Sequence, residues 1–172
     1  MLEKSKIFYN FTDRLVLKLQ RGIMLINNNS HRALEVVLTI PVKTYDIDFM
    51  GIVSNIVYIR WLEDLRLKFL DEHWQLNQQM EQGYAPVLAG TEIEYKRPIK
   101  IIDRVTGRLW VSNLGRLKWT VQAEILSNNE LAAVAIQKGV FVSLQNSRPI
   151  PIPEELQKKY FEDQKENLKD YL

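Results

Sequence analysis

The sequence contains no cysteine, which removes disulfides, thiolate metal ligands and a cysteine nucleophile together. It has two histidines, His31 and His73, far apart and in no ligand-type spacing, so neither a zinc site nor a serine–histidine relay has its usual imidazoles. No metal centre is expected. Long hydrophobic runs are missing as well. No stretch approaches the roughly 20 apolar residues that cross a bilayer, and no signal-peptide core is visible. Charge of one sign is also scarce: 23 basic and 21 acidic residues are interspersed and leave +2, which gives nucleic acid no broad basic face. The expectation is a cytoplasmic protein without a membrane span.

What is present is 172 residues, 46% hydrophobic and 26% charged, the profile of one soluble domain large enough to bury a core. Residues 1–32 mix Lys4, Lys6, Arg14, Lys18 and Arg21 with apolar side chains and read as an N-terminal extension of unknown role. Residues 33–156 form the domain, and residues 157–172 a charged tail expected to be helical.

From Leu34 to Val42 apolar residues alternate with polar ones, the period of a half-buried strand, with Pro41 assigning it to an edge or end. Ile56 to Trp74 holds no Gly or Pro, and Tyr58, Leu62, Leu65 and Phe69 recur at steps of four, three and four. That is one face of a long helix. Ser54 or Asn55 is a natural side-chain N-cap. Asn77 to Pro86 reads as a loop. Four strands follow, over Thr91–Arg97, Val105–Val111, Leu117–Ile125 and Ala132–Leu144, with short turn segments that predict consecutive antiparallel pairing. The last is apolar on both faces and should be central, or covered by another subunit. The fold class is therefore α+β, a long central helix wrapped by a curved antiparallel sheet of about five strands.

Between the first strand and the helix lies Tyr45-Asp46-Ile47-Asp48-Phe49-Met50-Gly51-Ile52-Val53-Ser54-Asn55. It places a carboxylate, a tight turn and a helix N-terminus close together. A helix start offers unpaired N–H groups and the positive end of a dipole, which stabilise negative charge developing on an oxygen. Asp48 supplies the nucleophile or base beside it. Acyl transfer, with thioester hydrolysis as the leading case, is the chemistry this combination suits. Asp46, two residues away, is read as a turn-stabiliser. Glu63, Asp64 and Arg66 are read as a surface pair or an interhelical contact, and Tyr45 and Tyr58 either as pocket-lining residues or as core aromatics, core packing being the stronger reading.

This stretch, followed by Tyr58, Trp61, Glu63 and Arg66, resembles the signature of hotdog-fold thioesterases of the 4-hydroxybenzoyl-CoA thioesterase type. Glu94-Tyr95-Lys96-Arg97-Pro98 and Arg148-Pro149-Ile150-Pro151 echo later parts of it. The resemblance implies an acyl thioesterase acting on acyl-CoA or acyl carrier protein. No cofactor is implied beyond the coenzyme A or phosphopantetheine of the substrate. It implies Asp48 and Asn55 as catalytic positions, the latter through its backbone amide, and Tyr45, Gly51, Ile52, Val53 and Tyr58 as substrate-binding positions. It also implies a homodimer or homotetramer with the site between subunits. Asn55 stands where many bacterial members carry His, and is similar in this to single-hotdog plant acyl-carrier-protein thioesterases. Lys96, Arg97, Lys100 and Arg104 are candidate partners for substrate phosphates. Two alternatives remain at this stage: a hotdog dehydratase or hydratase, and a non-catalytic acyl-binding module.

Overall fold

A computed structural model describes residues 32–169. Helix α1, Asn55–His73, buries Val57, Tyr58, Trp61, Leu62, Leu65 and Phe69, the stripe expected from the sequence with two further residues on its flank. It packs on a six-stranded antiparallel sheet made of β1 (Val36–Ile40), β2 (Tyr84–Tyr95), β3 (Val105–Leu114), β4 (Lys118–Ser127), β5 (Glu130–Ser143) and the short β6 (Pro149–Ile150). The helix-facing side carries Val105, Leu109 and Val111 from β3, Trp119, Val121, Ala123 and Ile125 from β4, and Ala133, Ala135 and Phe141 from β5, all in one core. Full burial of side chains such as Leu62 and Leu65 is worth about 1.5–3 kcal/mol each. Close approach of helix and sheet needs Gly107, where a Cβ would lie 2.9 Å from Leu65 Cδ1.

The strand order is β1-β3-β4-β5-β2, with β6 on β5, so β5 is central as its two apolar faces require. The expected hairpin between the strands at 91–97 and 105–111 does not exist. β2 pairs with β5 through Tyr84↔Ser143 to Tyr95↔Ala133, and β3 takes β1 on its outer side. Residues 96–104 are instead a crossover from the β2 edge to β3, next to the opposite edge, pinned because the Ile99 side chain is fully buried and its carbonyl accepts the Val53 N–H at 2.8 Å. The hairpins β3–β4 and β4–β5 do form. The second turns on Asn128 and Asn129, with φ of 51° and 68°, the two left-handed positions that asparagine tolerates best after glycine.

Two further expectations are corrected. The segment 77–86 is not a plain loop: it contains helix α2, Leu76–Glu81, whose fully buried Gln79 donates to the Trp74 carbonyl at 2.7 Å, and β2 already begins at Tyr84. The C-terminal helix α3, Glu154–Lys169, runs through the boundary drawn at 156 and is not purely solvated, since Leu156 is buried and Tyr160 packs on the core. The N-terminal extension assigned to residues 1–32 lies, up to His31, outside the described residues.

His73 closes α1, with its ring 5.1 Å from Phe69. Burial pulls its pKa below 6.5, assisted by Lys159 and opposed by Glu72, Asp163 and a hydrogen bond to the Leu34 backbone. The unfolded chain therefore binds this proton at a higher pH than the folded one, so stability falls as pH drops through about 6.5 and levels off below the folded value. Urea midpoints at pH 7.5 and 5.5 should show this loss, and His73→Gln should remove part of it.

Candidate active site

The Asp48 turn is held by its own backbone. The Asp48 N–H donates to Ile52 O at 2.8 Å, the Gly51 N–H returns to Asp48 O at 3.0 Å, and Ile47 and Val53 form an isolated bridge at its base. Gly51 has φ 74° with nothing within 4 Å of a would-be Cβ. Glycine is thus required there for conformation, not for space. The half-buried Asp48 carboxylate accepts the Met50 N–H through Oδ1 at 2.8 Å, and no hydrogen bond to Oδ2 is formed among the described residues. One oxygen shapes the turn and the other is available for chemistry.

Asp46 does the anchoring that the sequence assigns to it. It is buried, accepts the Lys43 N–H through Oδ2 at 2.8 Å, and its carbonyl accepts the Ser54 N–H at 2.9 Å. The helix N-cap is Ser54, but it makes no side-chain cap bond, which corrects the expectation of a side-chain acceptor there. Its carbonyl takes the Val57 N–H at 2.9 Å, while the N–H groups of Asn55 and Ile56 have no acceptor among the described residues. Asn55 is exposed. Two free amides at a helix start, directly after a turn carrying a carboxylate, form an oxyanion-type arrangement.

A neighbour the sequence reading left out is Tyr95 of β2, whose hydroxyl donates to the Asn55 carbonyl at 3.3 Å and whose ring meets Tyr58 edge-on at 5.1 Å. Burial, then Tyr95 and Asp103, push the Tyr58 hydroxyl up to about 12, so it stays protonated. Tyr58 and Val53 are core residues, each 2% exposed, and they support the site from beneath without facing solvent. Tyr45 is the reverse: it is 77% exposed, so the core reading of it is wrong and the pocket-lining reading is the one left. Ile52 is half-buried at the turn.

Of the four cations around the crossover, Lys96 pairs with Glu94 and Arg97 with Glu130. Lys100 and Arg104 make no salt bridge among the described residues. Asp103, between them, is held below the usual carboxylate range chiefly by the Lys100 backbone N–H, opposed by burial and assisted by hydrogen bonds from Ser127 and Asn128 and by the Lys100 charge. Arg66 is not merely a surface residue. Besides Glu63 at 3.3 Å, its Nη1 donates to Gln137 Oε1 at 2.8 Å, and Gln137, 1% exposed, donates on to Thr91 Oγ1 at 3.0 Å. No group of three or more His, Asp or Glu side chains suited to a metal ion occurs among the described residues, and no helix there is long and apolar enough to cross a membrane.

A long helix wrapped by one antiparallel sheet, with a tight turn feeding the helix start, is the hotdog fold. Residues 42–160 match the Thioesterase-like superfamily, and the chain belongs to that family. Its fold is similar to a DHNA-CoA thioesterase from Staphylococcus aureus, with a TM-score of 0.71 and 20% identity over 79% of this chain and 95% of that one. It is similar also to a thioesterase from Thermus thermophilus crystallised with coenzyme A and zinc, with a TM-score of 0.66 and 25% identity over 78% and 96%. A protein of Aquifex aeolicus (strain VF5), whose esterase name is provisional, is 28% identical over 116 residues, 67% of this chain and 89% of its own.

Proposed function

We propose that the protein hydrolyses an acyl thioester of coenzyme A or acyl carrier protein to the free acid and thiol in the cytoplasm, using Asp48. The observation that carries this reading is the juxtaposition of a carboxylate oxygen free of the turn with the unpaired amides of Asn55 and Ile56. Those amides receive the carbonyl oxygen and hold its negative charge as the tetrahedral centre forms. In one route Asp48 attacks the carbonyl, expels the thiolate and leaves a mixed anhydride that water hydrolyses. In the other it removes a proton from water, which attacks directly, and the thiolate leaves with a proton. Tyr45 and Ile52 line the approach, and Lys100 and Arg104 are positioned beside the crossover for substrate phosphates.

The dimer or tetramer has support in β2, a twelve-residue edge strand that exposes Val87, Leu88 and Tyr95. An unpaired edge of that length is a template for a second copy. A dehydratase is disfavoured because it relies on a positioned imidazole, and His73 stands at the opposite end of α1 from Asn55.

The test is a panel of aromatic and aliphatic thioesters, each as coenzyme A and carrier-protein conjugates, with thiol release as readout. Release from at least one is expected. Thermal stabilisation by these thioesters with no product would favour an acyl-binding module instead.

A further inference from the structure

Beneath the second half of α1 lies a cavity of about 260 Å³, lined among others by Leu70, Leu88, Leu114, Trp119, Phe141 and Leu156. Its walls come from α1, α2, β2, β3, β4, β5 and α3, and the side chains named are all apolar or aromatic. Glu63 and Arg66 stand at its rim, but the Arg66 guanidinium is tied back to Gln137 and to the Leu62 carbonyl, so its charge is held against the sheet. One flank of α1 runs beside the inner face of β2 from Asn55 to this cavity. Three contacts mark its course: Tyr95 on Asn55, Arg66 on Gln137 and thence Thr91, and Leu70 with Leu88 in the cavity. Ile59, 39% exposed, lies on the same flank between the first two.

We propose that this cavity receives the tail of a long aliphatic acyl group, of about 14–18 carbons, whose thioester carbonyl sits at the start of α1. The inference rests on the thioesterase reading. Two independent measures give the length. At about 1.5 Å of rise per residue, Glu63 lies roughly 12 Å and Leu70 roughly 22 Å along the helix from Asn55. An extended chain advances about 1.25 Å per carbon given its bond lengths, so roughly carbons 10 to 18 fall within the cavity. By volume, a cavity of about 150 Å³ accepts a six-carbon ring, which scales to roughly ten carbons here. Both place eight to ten carbons beyond Glu63. An aromatic acyl group attached at Asn55 ends well short of it.

The experiment measures thiol release from straight-chain acyl-CoA of 4 to 18 carbons and from an aromatic acyl-CoA, for the wild type and for Leu114→Trp, which adds bulk to the cavity wall on β3, away from the β2 edge. Each buried methylene is worth roughly a factor of four. The wild-type kcat/KM should rise at least about a hundredfold from 8 carbons to an optimum at 14–18, and Leu114→Trp should move that optimum shorter by several carbons. A second readout needs neither catalysis nor the variant: quenching of wild-type tryptophan fluorescence by 16-carbon free acids brominated near the tail or near the carboxyl. Trp74 and Trp119 line the cavity, so the tail-brominated acid should quench more. Release without chain-length preference, or equal quenching by both acids, overturns the inference and leaves the thioesterase reading standing. Tail-selective quenching with no release from any thioester overturns the thioesterase reading and leaves a fatty-acyl site.

Discussion

Replacing Asp48 with Asn lowers thiol release by at least about a hundredfold, the low end for losing a positioned base and equal to about 2.7 kcal/mol of barrier. The geometry makes the variant a clean test. Asn keeps an oxygen at the Oδ1 position, so the 2.8 Å bond from the Met50 N–H survives and with it the turn. The Asp48–Ile52 and Gly51–Asp48 bonds are backbone to backbone and are untouched. What disappears is the charge and the free carboxylate oxygen. Melting temperature should therefore stay within about 2 °C, at most about 1 kcal/mol for a domain of this size, while single-turnover release collapses. Wild-type rates in Asp48→Asn would remove Asp48 from the chemistry. One turnover of the wild type in ¹⁸O-water, followed by mass spectrometry of the Asp48 peptide, tests the covalent route. Label in the carboxylate marks an anhydride opened at Asp48, whereas direct attack by water, like an anhydride opened at its acyl carbon, leaves the label in the product acid alone.

Gly139→Ala has the largest expected effect on stability, about 3 kcal/mol, the upper end for overpacking a filled site. Gly139 lies opposite Trp119 across β4 and β5. A Cβ there would overlap the Trp119 ring and the Val87 carbonyl oxygen. The ring is confined by the core, and the carbonyl belongs to the neighbouring strand beside the shift in register between Leu88 and Gly90, so neither can withdraw cheaply. Gly90→Ala is the internal control, because nothing lies within 4 Å of its would-be Cβ. Urea denaturation of the two variants should separate them by more than about 2 kcal/mol. Equal midpoints would mean that Trp119 does not rest on Gly139.

The elements with a strong local signal were legible in the sequence. The helix stripe from Val57 to Phe69, the edge character of β1 beside Pro41, the central place of the doubly apolar β5 and the Asn128-Asn129 turn all follow from periodicity and turn chemistry. So did the Asp48 turn, because Gly51 and the following helix start lie within a few residues of the carboxylate. What failed was non-local. The spacing between β2 and β3 is compatible with a hairpin, and only the burial of Ile99 and the pairing of β2 with β5 send the chain across the domain instead. Short α2 has too few residues to display a period. The exposure of Tyr45 and the burial of Tyr58 differ although both are tyrosines near one turn, since each is decided by what the crossover and β2 cover. The cavity was invisible for the same reason: its walls come from seven elements, and no single segment encodes it.

The Asp48 turn itself has a kinetic consequence. Its residues are contiguous, yet the bond that seats it on the rest of the fold joins the Val53 N–H to the Ile99 carbonyl, 46 positions away. Ile99 belongs to the crossover, which is placed only when β2 has found β5. Closing so long a loop carries an entropic cost that local turn formation does not, and contacts of this separation form slowly. A segment that looks self-sufficient in sequence thus acquires its working geometry late, after strand pairing at the far edge of the sheet is complete.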